Sequence, residues 1–173
     1  MKTAKKIKTT SLFVIALVFG LYIISCQSGS KKAGEKMMEK AIENATGKDA
    51  KVDIDKEKAV IETGDGRIEV DSNAKSWPSE IPGDVPEFKF GKVKAVTTSI
   101  MDGSKSWNVA FEEVQDGFFD KYEAQLKEKG FETMSMKMGD KGGTISVESD
   151  KFSVFMMGGE GNLTVGVTVK KQE

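Results

Sequence analysis

Three spacings of apolar residues divide this chain. Positions 12–24 (LFVIALVFGLYII) are apolar without a period, broken only by Gly20 and the hydroxyl of Tyr22. Over 31–47 the apolar residues Met38, Ala41, Ile42 and Ala45 follow the spacing of one helix face, and Gly47 stands where a left-handed cap would close the helix. Lysine and glutamate three residues apart, Lys32 with Glu35 and Lys36 with Glu39, line its polar side. The period then falls to two. Short strands are expected over 51–55, 59–63 and 67–71, with Val52, Ile54, Ile68 and Val70 turned to a partner layer and Asp53, Asp55, Glu69 and Asp71 turned to water.

Period two returns after residue 91. A hairpin is predicted from 92–101 and 104–114 across Asp102-Gly103, a dipeptide suited to a tight turn. A helix over 117–129 follows, capped by Asp116, with Phe118, Phe119, Tyr122 and Leu126 as its apolar stripe. Gly130 at its end, followed by Phe131, predicts a Schellman motif in which Phe131 meets Leu126. Four more strands are read over 131–138, 144–148, 152–157 and 163–170, separated by GDKGG, SDK and GGEGN. In the last, Leu163, Val165, Val167 and Val169 alternate with polar residues, as in a sheet with one face buried.

The chain is therefore expected to be α+β, with antiparallel sheets each covered by one helix. An N-terminal αβββ unit spans 33–75 and a C-terminal ββαββββ unit spans 92–173. All three prolines, Pro78, Pro82 and Pro86, fall between them in WPSEIPGDVPEF. Proline at that spacing excludes a helix interior or a central strand, so 76–91 reads as a stiff connector. The interspersed Trp77, Ile81, Val85 and Phe88 suggest that it lies along the surface of a domain.

The unpatterned run at 12–24 follows Lys2, Lys5, Lys6 and Lys8 with no acidic residue. Thirteen apolar residues suit a secretory leader, whereas a membrane span needs about 20. The run ends in Ile23-Ile24-Ser25-Cys26, which holds the chain's single cysteine and resembles the lipobox of bacterial lipoproteins. The resemblance implies a signal peptide over 1–25, cleavage between Ser25 and Cys26, and diacylglycerol in thioether linkage on Cys26. In many bacteria the new amino terminus is acylated as well, commonly with palmitate. The lipidated Cys26 and a Gly/Ser tether would occupy 26–32. Where a cell has an outer membrane, lipoproteins without aspartate after the cysteine are commonly passed to it, and Gln27 is compatible with that. An uncleaved membrane helix and an ordinary secreted protein are the competing readings.

Without the leader's four lysines, the 26 basic residues fall to 22 against 27 acidic, a net charge of −5. Such a balance argues against a general grip on nucleic acid. The chain has no histidine and its one cysteine is committed to lipid, which removes histidine-dependent triads, cysteine nucleophiles, Cys/His zinc sites and disulfides. Asp53-Ile-Asp55-Lys-Glu57 begins like a calcium loop, but Lys58 and Gly64 occupy the positions that need glycine and a bidentate glutamate.

Two groups of residues carry candidate chemistry. Met134, Met136 and Met138 share one face of a strand, and Met156 lies on another strand expected nearby. These thioethers would suit Cu(I), or would fill the space between sheet and helix as adaptable apolar side chains. Trp77 and Trp107 could stack on a ligand or sit in a core. The order of parts, from lipobox through charged helix and acidic strands to a proline connector, hairpin and helix, is similar to small bacterial lipoproteins of unassigned function. The αβββ front end is also similar in topology to small envelope modules that regulate peptidases. The resulting expectation is a lipid-anchored, non-enzymatic envelope protein without a cofactor, held to the membrane and binding a protein or small ligand. The alternatives are a Cu(I)-binding lipoprotein and, after it, a hydrolase that works without histidine.

Overall fold

The computed structural model describes residues 31–46, 49–139, 142–159 and 161–171. Helix α1 spans Lys31–Thr46, as its periodicity predicts. The strands are β1 (Ala50–Ile54), β2 (Lys58–Thr63), β3 (Gly66–Asp71), β4 (Lys92–Met101), β5 (Ser104–Glu112), β6 (Thr133–Lys137), β7 (Gly142–Glu148), β8 (Phe152–Gly159) and β9 (Asn162–Val169), and helix α2 is Phe118–Glu128. The fold is α+β and dominated by its sheet. Rather than one sheet per unit, the nine strands form a single sheet in the order β1-β2-β3-β4-β5-β9-β8-β7-β6. From β2 onward each neighbouring pair is antiparallel. After β5 the chain crosses by way of α2 to the far edge, and returns strand by strand until β9 pairs with β5.

One face of β5, β9, β8 and β7 carries the main core. Trp107, Val109 and Phe111 lie beside Leu163, Val165 and Val167, then Val154 and Met156, then Ile145 and Val147, all buried. Phe118, Phe119, Tyr122 and Leu126 of α2 join the same cluster. Each aliphatic side chain buried so completely contributes about 1.5–3 kcal/mol.

The buried apolar side of β2 and β3 is the opposite one. Register places Val70 across from Thr97, Thr97 across from Asn108, Asn108 across from Gly166 and Gly166 across from Phe155, so Ile61, Ile68 and Val70 share the face that carries Phe155. The buried side changes over at β4, where the consecutive residues Ala95 and Val96 are both buried next to a register shift between Val93 and Ala95.

The proline-containing stretch is more than a surface connector. Turns closed from the Ile81 N–H to the Pro78 carbonyl (3.2 Å) and from the Val85 N–H to the Pro82 carbonyl (2.9 Å) point Ile81, Val85 and Phe88 into the main core. Phe88 is its aromatic centre, with ring centroids 4.7 Å from Phe111, 5.3 Å from Tyr122, 5.4 Å from Phe90 and 6.0 Å from Phe118.

Two other expectations change. Asp116 does not cap α2: the N-cap is Gly117 in a left-handed conformation, without a side-chain hydrogen bond. The glycine pairs read as loop are strand ends, Gly142 opposite Gly159 and Gly143 opposite Gly158. At Gly143 a Cβ would run into the Phe119 ring and the Met136 carbonyl, so the absent side chain lets α2 sit close on the sheet. The Schellman motif is present, with the Phe131 N–H on the Leu126 carbonyl at 3.1 Å and the Gly130 N–H on the Lys127 carbonyl at 2.9 Å.

Candidate functional site

The last five strands in sheet order have a second face, turned away from α2. Phe152, Val154 and Met156 point into the core, so the alternation of β8 sends Ser153, Phe155 and Met157 outward. In β6 the usual pattern is inverted. Its polar residues turn toward the helix: the Thr133 and Ser135 hydroxyls donate to one oxygen of Glu123, at 3.0 and 2.9 Å, and Lys137 pairs with Asp120 at 2.6 Å. Met134 and Met136 are thereby sent to the open side.

Register gives this face its layout. Met136 and Met157 flank Thr144 on the strand between them, and Met134 and Phe155 flank Ser146. The short Thr144 and Ser146 lie in a trough between the longer side chains. Relative exposures are 80% for Met134, 65% for Met136, 55% for Met138, 50% for Phe155 and 48% for Met157, against 0% for Met156. Met156 therefore separates from the other candidate thioethers, and Met157 takes its place among them. The methionines of β6 do not fill the space between sheet and helix either, because polar side chains occupy that side. The parity of β8 already contained the signal for Met157 and Phe155, since Phe152 and Val154 had to face inward.

Trp107 is buried in the main core and has no surface to offer a ligand. Its indole N–H has no hydrogen-bond partner among the described residues. Lys105 lies over its ring at 5.0 Å and pairs with Glu80 at 2.9 Å. That ion pair is the main reason the Glu80 carboxyl is held below its ordinary range; the indole lies close enough for a minor pull without completing a hydrogen bond. Trp77 is half-buried and stacks on Phe111 with centroids 6.3 Å apart. Ser25 and Cys26 lie outside the described residues.

Carboxylates whose ionisation shifts move downward. Glu123 is lowered first by its hydrogen bond to Lys127 and then by Ser135 and Thr133. At Asp71 burial pushes upward and is outweighed by the Asn73 amide together with Lys58. Neither is poised to release a proton near neutrality. A recess of about 510 Å³ lies beside α2, lined by Pro86, Glu87, Lys89, Gln125, Glu128 and Lys129, with charges of both signs at its rim. No three His, Cys, Asp or Glu side chains among the described residues come together as a metal site, and no described helix is long and apolar enough to cross a membrane.

Compared with protein-family models, curated proteins and solved structures, the chain finds no match.

Proposed function

We propose that this chain is a bacterial envelope lipoprotein, held to the extracytoplasmic side of a membrane through lipid on Cys26, whose folded part binds rather than catalyses. The anchor reading rests on the lipobox-like Ile23-Ile24-Ser25-Cys26 behind an apolar leader. Diacylglycerol and an N-terminal acyl chain would supply the two anchors that stable attachment needs. The working surface is the open face of β6, β7 and β8.

The observation that carries the binding role is Phe155 and Met157 standing half-exposed on β8, with Met134 and Met136 across the trough. Contiguous apolar surface of this kind marks an interaction site more often than scattered exposed residues do. Met and Phe also offer an adaptable contact surface.

The test is capture on intact membranes. The full chain should incorporate labelled palmitate and fractionate with membranes, and Cys26→Ser should lose both. A crosslinked partner recovered in stoichiometric amount should disappear in a Phe155→Ser, Met157→Ser double variant that keeps its melting temperature. Recovery of the same partner by that variant would remove the face from the proposal.

A further inference from the structure

Resting on the reading of this face as the working surface, the geometry points to its ligand: we infer that Met134, Met136 and Met157 form a thioether site for Cu(I). Four of the chain's nine methionines, these three and Met138, are exposed on or next to one end of one sheet. Strand surfaces favour β-branched and aromatic residues, so methionine confers no structural advantage at these positions. Solvent-exposed thioethers add little to a core. Their distinctive property is a soft, neutral sulfur donor.

The spacing suits convergence on one ion. Neighbouring strands lie about 4.8 Å apart, so Met136 and Met157, one strand removed from each other, have backbones separated by roughly 9.6 Å. Residues two apart on a strand, as Met134 and Met136 are, sit about 6.8 Å apart. Each methionine has three rotatable side-chain bonds, and the short Thr144 between Met136 and Met157 leaves the space above β7 open to sulfurs from both sides. Met138, opposite Gly142 at the end of the hairpin, is the reserve fourth donor.

The donor chemistry selects the metal. Calcium and magnesium require several oxygen ligands, and structural zinc takes thiolate, imidazole or carboxylate. An all-thioether set without charge selects a soft monovalent ion, and Cu(I) is its biological representative. Phe155 stands beside this trough, across Ser146 from Met134. Met156, buried on the other side of β8, takes no part.

The experiment is a competition for Cu(I), free of oxygen, between a coloured Cu(I) chelator and the full chain in detergent micelles, with any free Cys26 thiol alkylated. The chain should withdraw one Cu(I), and Met136→Leu combined with Met157→Leu should weaken that binding by at least about tenfold. Both positions are exposed, so the variant should keep the parent's circular dichroism. With methionine methyls labelled by carbon-13, Cu(I) should shift the signals of Met134, Met136 and Met157 and leave that of Met156 in place. A parent chain that withdraws no Cu(I) overturns the site, as does a double variant that binds like the parent. A parent chain that withdraws no Cu(I) yet captures a partner through Phe155 and Met157 removes the metal alone; a parent chain that withdraws Cu(I) yet captures no partner removes the docking role alone.

Discussion

The hydroxyl of Tyr122 donates to the carbonyl of Pro86 at 3.0 Å, tying the buried face of α2 to the proline-containing stretch. Tyr122→Phe should lower stability by about 1 kcal/mol, read from the urea midpoint at pH 7. The tyrosine also sets a pH limit. Burial pushes its ionisation well above the ordinary value of about 10. Its contribution is therefore complete below that ordinary value and is lost as pH rises toward the folded one. Above about pH 10 the stability advantage of the parent over Tyr122→Phe should shrink by up to roughly 1.4 kcal/mol per pH unit.

Phe88 should be among the most sensitive positions in the chain. It comes from a stretch with no regular secondary structure, yet its ring meets four other aromatic rings. Phe88→Ala should cost about 3–5 kcal/mol and reduce the near-ultraviolet circular dichroism of the aromatic cluster. Phe88→Leu, which keeps more of the volume, should lie between that variant and the parent. A calorimetric series of the three proteins checks the order.

Gly143→Ala tests how closely α2 approaches the sheet. The added methyl meets the Phe119 ring and the Met136 carbonyl, and the carbonyl belongs to a strand that cannot yield as a flexible side chain can. A loss of about 1–3 kcal/mol is expected, visible as a lower melting temperature. The same change at Gly64, where a Cβ would meet no atom within 4 Å, should be far milder.

Glu123 fastens β6 to α2 while it is ionised. Its carboxyl is depressed, chiefly by Lys127, so its contribution is present above the ordinary glutamate value of about 4.3 and disappears as pH falls through the lower folded value. The urea midpoint of the parent should exceed that of Glu123→Gln at pH 7, and the gap should close on acidification below that range. Faster amide exchange in β6 of the variant would locate the effect.

Much of the architecture was legible because local signals agreed with one another. The Asp102-Gly103 turn, the Phe118 to Leu126 stripe, the Gly130 cap and the alternation of Leu163 to Val169 all appear where the residues predict them. What escaped was set by contacts distant in sequence. Alternation alone cannot give the direction of β6, because its methionines are the more apolar set; Glu123, a helix residue, draws Thr133 and Ser135 inward. Loop-like glycines became strand because Gly143 lies beneath Phe119, and a stretch broken by prolines entered the core because Phe88 had Phe111 and Tyr122 to meet. The candidate site was half visible for the same reason. Its β6 residues could be named from the sequence, whereas the exchange of Met156 for Met157 needed the inward direction of β8.

The position of β9, last in chain order among the described strands, has a consequence for biogenesis. It is inserted between β5 and β8, so the first five strands in sheet order cannot join the other three until residues 162–169 arrive. Until then β5 and β8 each keep an edge whose hydrogen-bonding groups await β9. Truncation just before β9 should leave two fragments of sheet, each with a raw hydrogen-bonding border, and such a product should be lost to proteolysis or aggregation rather than persist as a smaller fold.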